Sequence, residues 1–326
     1  MPCIEPKSAA GTGWRQPESV FFAKDFIATA EGLVFAVVES GTEQHKVLCF
    51  LRYIMSSAGW KKVATQEANA LLNDRFPHYL YYSPARDAHL HAVSPGDIVK
   101  HYQPKERLQA LLAGDKQDSV IGDLIKLCHL FEENGIKLQA LGVTGSLLIG
   151  AQNPASDIDL VFYQRKQFQQ ARRIIRRLMT TDDLQPLREQ DWQNSYQRRQ
   201  CALRLAEYVW HERRKFNKAL INKRKFDISL VSKTILPVVS FKKLKSIKLQ
   251  AWVIDDELGF DYPAQFSIQH RHADTVVSYT ATYTGQACKG ERIEVAGLLE
   301  QSGSGRNRVV VGSSREAEGE YIKVIS

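Results

Sequence analysis

No stretch of about 18 apolar residues occurs in the 326-residue chain, so no helical membrane span is expected. Cysteine is sparse: Cys3, Cys49, Cys128, Cys201 and Cys288 are scattered, odd in number and never spaced CxxC. That pattern argues against a disulfide framework and a zinc site, and makes a reducing cytosol the expected compartment. The opening Met1-Pro2-Cys3-Ile4-Glu5-Pro6-Lys7 has no apolar region behind a basic stretch, so no secretory signal is expected. Fixed-period repeats and low-complexity segments are missing too, and the overall composition excludes disorder, collagen and coiled coil. What remains is a chain 44% hydrophobic and 25% charged, able to bury a sizeable core in two or three domains.

Charge is unevenly placed. Of the net +8, the segment from Arg165 to Lys225 carries 17 Lys and Arg against six Asp and Glu, a local +11, and the remainder nets −3. A basic excess gathered in one segment points to a polyanion, either nucleic acid or a nucleotide phosphate tail. The plainer alternative is a solvated helix surface.

Periodicity divides the chain. Residues 1–16 read as a loose tail. Over 17–105, Phe26 to Thr29, a turn at Glu31-Gly32, Leu33 to Val38 and Val47 to Ile54 predict a hairpin plus a third strand. Tyr79 to Tyr82 and His89 to Val93 add a pair, giving a small β-rich domain. Over 106–235 the period changes. Val120, Leu124, Leu127, Cys128 and Phe131 share one helix face that stops at Gly135, and Leu138 to Val143 predicts a short strand. Asp157 to Tyr163 predicts a strand, and Phe168, Ala171, Ile174, Ile175 and Leu178 the apolar side of a helix. A basic helical stretch from Trp192 to Leu220 and a strand at Lys225 to Val231 follow. Over 236–326 the period returns to two, at Val276 to Tyr283, Arg292 to Gly297, Arg308 to Gly312 and Tyr321 to Ile325, as in a barrel or sandwich. The expected fold is α+β: a central mixed sheet with helices between two β modules.

The chemistry concentrates in the middle. Gly145-Ser146 falls in an expected strand-to-helix turn; after ten residues comes Asp157-Ile158-Asp159-Leu160, and later Phe226-Asp227-Ile228. Alternation puts Asp157 and Asp159 on one strand face. Carboxylates that close repel unless protonated or bound to a cation, and Mg²⁺ prefers oxygen ligands. Asp227 on a neighbouring strand would complete a site for two Mg²⁺ ions, one activating a hydroxyl and one holding a triphosphate. Gly145 lets backbone approach phosphate, and Ser146 with N–H groups at a helix start can bind its oxygens. The plainer reading, a turn cap at Asp157 and a surface acid at Asp159, leaves Asp227 unexplained on a buried strand.

This ordered set of Gly-Ser, acid-x-acid and a later single acid between apolar residues resembles the polymerase-β-like nucleotidyltransferase superfamily. The resemblance spans roughly residues 118–235, about a third of the chain. It implies a nucleotidyltransferase-type central sheet and Mg²⁺-dependent transfer of a nucleoside monophosphate from a nucleoside triphosphate to a hydroxyl. Asp157, Asp159 and Asp227 would be the catalytic, metal-holding acids, and Gly145 and Ser146 the nucleotide-binding pair. The flanking β regions are similar to those of predicted, mostly archaeal nucleotidyltransferases without an assigned substrate.

Arg172, Arg173, Arg176 and Arg177 line one side of the helix that follows the Asp157–Asp159 strand, so they are expected near the site as contacts to nucleic acid. RNA is the acceptor this favours. A protein or small-molecule hydroxyl is the second reading, and a catalytically silent nucleic-acid-binding protein the third. His89 with His91, His270 with His272, Cys128-His129, and the aromatic residues Trp252, Tyr279 and Tyr283 read as surface or core residues before ligands or base platforms.

Overall fold

The structure, a computed structural model, describes residues 20–57, 59–114, 118–233, 239–313 and 318–326. The tail expected over 1–16 and the expected domain limits at 17, 235 and 236 lie outside them. The fold is α+β.

Seven strands and one helix make the N-terminal sheet: β1 (Phe26–Thr29), β2 (Leu33–Val37), β3 (Val47–Ser56), β4 (Gly59–Lys62), α1 (Thr65–Arg75), β5 (Leu80–Ser83), β6 (Ala88–Val93) and β7 (Ile98–Tyr102). Its order is β5-β6-β3-β2-β1-β7, with β4 on β3. The expected hairpin turn is present, Gly32 taking φ +77. Ala68 and Leu72 of α1 close a core with Ile27, Phe35 and Leu51.

The middle holds α2 (Pro104–Ala113), α3 (Ser119–Glu133), β8 (Leu141–Thr144), α4 (Ser146–Ile149), β9 (Ile158–Phe162), α5 (Arg165–Leu178), α6 (Glu189–Arg199), α7 (Leu205–Lys215), β10 (Lys218–Ile221) and β11 (Arg224–Leu230). The α3 helix starts at Asp118, whose carboxylate accepts the Ile121 N–H at 2.8 Å, and ends at Asn134 before Gly135. Its sheet, ordered β10-β11-β9-β8, is mixed: β9 and β11 are parallel and both outer pairs antiparallel. The expected strand from Leu138 is a 3₁₀ turn before β8 begins at Leu141. The stretch expected as one helix from Trp192 to Leu220 is two, broken at Gln200 and Phe216, both at positive φ, and then a strand.

The C-terminal sheet contains β12 (Phe241–Asp255), β13 (Ala264–Gln269), β14 (Thr275–Ser278), β15 (Arg292–Ser302), β16 (Asn307–Val311) and β17 (Tyr321–Val324). Pairing runs β12-β13-β14-β16-β15 and returns to β12, a closed circuit, with β17 added on β15. The strand expected through Tyr283 ends at Ser278. Trp192, Leu203, Tyr208 and Val209 of the α6–α7 region share a core with Val253, Phe266 and Ile293, so these helices join the central sheet to the C-terminal one.

Candidate active site

Four side chains form one row across the central sheet. Lys218 is opposite Asp227, Asp227 opposite Asp159, and Asp159 opposite Thr144. Strand side chains alternate, and Ile158, Leu160, Phe226 and Ile228 pack into the core beneath α3 and α5. Asp159 and Asp227 are therefore delivered to the other face. Neighbouring strands lie about 4.8 Å apart, so the two carboxylates are forced side by side. Burial raises the Asp159 pKa, the Asp227 charge raises it further, and Lys24 opposes both. Asp227 Oδ1 is buried and has no hydrogen-bond partner among the described residues. Gly145, at φ +68, fits against this pair because a Cβ there would stand 2.5 Å from Asp159 Oδ2.

Asp157 lies just before β9 and its carboxylate is paired with Lys225 Nζ at 2.5 Å. Among the described residues no three His, Cys, Asp or Glu side chains stand close enough together to hold a metal as they are. The donor chemistry nevertheless suits a hard cation: the set is all carboxylate oxygen, one oxygen of Asp227 is unpartnered, and glycine leaves room beside Asp159. Asp159 and Asp227 would hold it, joined by Asp157 once that carboxylate leaves Lys225.

The site lies between two walls. On one side the N-terminal sheet meets α4: Phe26, Val34 and Tyr53 share an apolar cluster with Leu148 and Ile149. Beside it, Thr144 Oγ1 donates to the Lys24 carbonyl at 2.8 Å, and Ala23 packs with Val161 and Val231. On the other side, Glu212 is buried between Lys215, at 2.5 Å, and Lys218. Burial works against the Glu212 charge, yet the two ammonium groups hold its pKa down at about 2. Burial lowers Lys215 to about 8, opposed by Glu212. Lys218 of the acid row is thus fixed from behind by Glu212.

The chain is 31% identical to the uncharacterized protein MJ1086 of Methanocaldococcus jannaschii, over 92% of this chain and 98% of that relative. The chain belongs to the MJ1086 family. No family model matches it, and no solved structure does.

Of the residues expected in the site of this MJ1086-family chain, the structure brings together Gly145, Asp159 and Asp227, keeps Asp157 and Ser146 at the rim, and separates the arginines. Phe168, Ala171, Ile174 and Ile175 put α5 on the core side of the sheet, across from the acids. Arg172 is half-buried: its guanidinium stacks 3.9 Å from the Phe260 ring and donates to the Lys215 carbonyl at 2.6 Å. Arg176 covers Phe216, Arg177 reaches Asn134, and Arg173 is exposed on that far side. Chain proximity misled here because a crossover helix packs on whichever sheet face its apolar stripe demands. The helix start expected at Ser146 is a single turn of four residues, so its dipole supplies little positive charge.

The remaining candidates are structural or exposed. His91 is buried, its Nδ1 accepting the Leu51 N–H at 3.0 Å and its Nε2 2.8 Å from Asn69 Oδ1. His270 is half-buried and His272 exposed, both beside Arg271. Cys128 is core, Tyr283 is buried, and Arg86 covers the Tyr279 ring at 4.5 Å. The residues sequence reasoning missed are Lys24, Lys218 and Lys225. For the last a signal existed, since it stands two residues before Asp227 on the same strand face.

Proposed function

We propose that this protein is a Mg²⁺-dependent nucleotidyltransferase, moving a nucleoside monophosphate from a nucleoside triphosphate to a hydroxyl. The observation that carries this reading is Asp159 and Asp227 in direct register on parallel strands, with Gly145 abutting Asp159. A row of repelling carboxylates costs stability, and it is kept where a cation and phosphate must be handled. The bound divalent cation would supply charge neutralisation at the phosphate and acidify the attacking hydroxyl. Asp227 Oδ1, without a hydrogen-bond partner among the described residues, would take that hydroxyl's proton. Lys218 sets a positive charge beside it, and Gly145 keeps the approach to Asp159 open.

We favour an RNA hydroxyl as acceptor. The α5 arginines no longer support this; β12 does, with exposed Lys242 and Lys245 and a half-exposed Trp252 on which a base could stack. A protein or small-molecule hydroxyl is the second reading. Among the described residues no helix is long and apolar enough to cross a membrane, and the buried free thiols of Cys49 and Cys128 suit the cytosolic location we propose.

The test is incubation with each labelled nucleoside triphosphate, Mg²⁺, and cellular RNA or protein. Label should enter RNA and be lost in Asp159→Asn. Label in the protein fraction would move the acceptor to the second reading, and no label with any nucleotide would overturn the assignment.

A further inference from the structure

A lysine directly across a strand pair from an acid ordinarily pairs with it, and here it does not. Lys218 on β10 is opposite Asp227 on β11. Side chains so opposed stand about 5 Å apart at Cβ on one sheet face, where opposite charges attract. Yet among the described residues Lys218 pairs with Glu212 and forms no ion pair with Asp227, whose buried Oδ1 has no hydrogen-bond partner. Two charges that could satisfy each other are kept apart.

The cause is a chain of buried charges behind the row. Glu212 and Lys215 stand one turn apart on α7, only 3% and 2% exposed, and meet at 2.5 Å. Phe216, at φ +50, ends the helix and turns the chain into β10, which brings Lys218 onto the second Glu212 oxygen. Lys215 also donates to the carbonyl of Thr282, a buried residue between β14 and β15, at 2.8 Å. The order is Thr282, Lys215, Glu212, Lys218, each group holding the next from the C-terminal sheet to the edge of the acid row. A buried charge cluster adds little stability over apolar packing, so its presence calls for another reason. An apolar residue in place of Lys218 would leave Asp227 unpaired too. What the chain of charges adds is an ammonium one strand away, offsetting the repulsion between Asp227 and Asp159 without occupying Asp227.

We propose that Glu212 is a positioning residue. Anchored through Lys215 on the Thr282 carbonyl, it holds Lys218 off Asp227 and so leaves Asp227 Oδ1 open to a divalent cation and to the acceptor hydroxyl. What Asp227 is kept open for rests on the nucleotidyl-transfer reading; the choice of partner by Lys218 does not.

The test is to release Lys218. Mn²⁺ is titrated calorimetrically against the full chain without nucleotide, and crystal structures of the variants show where the ammonium goes. Glu212→Gln should let Lys218 Nζ move onto Asp227 and weaken Mn²⁺ binding about tenfold, because the ammonium then holds the site most of the time. Adding Lys218→Met should restore the affinity, which a general loss of structure would not allow. If Glu212→Gln fails to fold, Glu212→Gln with Lys215→Met releases the same lysine without stranding a second buried charge. Affinity unchanged on release, or not regained with Lys218→Met, would overturn the positioning role. Lys218 on Asp227 in the released variant, with Mn²⁺ bound by neither wild type nor variant and no nucleotide transferred, would keep that role and sink the transferase reading. Transfer by wild type, with Lys218 still off Asp227 in the released variant, would do the reverse.

Discussion

A carboxylate set directly beside another across a parallel ladder folds at a cost. For Asp159 that cost has a sign that can be read. Its pKa is raised in the fold, so between the unfolded value near 3.8 and the raised one the native state binds more protons than the unfolded state. Stability therefore falls as pH rises through that window. Asp159→Asn should abolish transfer yet raise the melting midpoint, with a gain that grows from pH 4 to pH 7; a midpoint lowered at pH 7 would contradict the repulsion argument. Gly145→Ala acts the other way. The added Cβ meets Asp159 Oδ2 in a backbone region that favours glycine, a cost of roughly 1–3 kcal/mol, and activity should go with it. These two residues were legible in the sequence because an acid between apolar neighbours and a glycine before a serine are visible as letters. Lys24 was not: nothing in its neighbourhood announces a positive φ, and its contact with Thr144 joins positions 120 residues apart.

At the scale of elements, apolar periodicity revealed what one face buries and little else. The α3 and α5 helices were legible because each has a continuous apolar stripe. The break between α6 and α7 was not, since Gln200 and Phe216 adopt left-handed conformations without glycine. Missing altogether was β12, whose first half is mostly exposed and rich in lysine, so no alternation shows. The α7 helix carries its own prediction. His211 is buried; its Nδ1–H donates to the Glu207 carbonyl at 2.7 Å and its Nε2 accepts the Val324 N–H at 3.1 Å. Burial pushes its pKa down to about 4. Below the unfolded value of 6.5 the unfolded state binds the extra proton, so stability should fall as pH drops from 6.5 toward 4, by about 3 kcal/mol in all. In His211→Gln the pH dependence of the melting midpoint over that range should flatten; an unchanged profile would show that other groups carry it.

The whole molecule depends on how its parts are joined, and the join at the site is small. One turn of helix, α4, presses Leu148 and Ile149 into the cluster formed with Phe26, Val34 and Tyr53. The same turn follows Gly145, so the seam that docks the N-terminal domain also sets the backbone beside Asp159. Leu148→Ala should cost about 2–5 kcal/mol, since Leu148 is buried and the cavity left cannot collapse between two sheets. Because that seam sets the backbone beside Asp159, loosening it should weaken nucleoside triphosphate binding at a temperature where both sheets remain folded. Amide hydrogen exchange reads the cause directly: protection should fall along Phe26–Thr29 and Ser146–Ile149 while Ile158–Phe162 stays protected. Weakened binding with exchange unchanged at the seam would mean that Leu148 acts through Gly145 alone. Exchange raised at the seam with affinity intact would mean that the domain's docking has no part in holding the nucleotide.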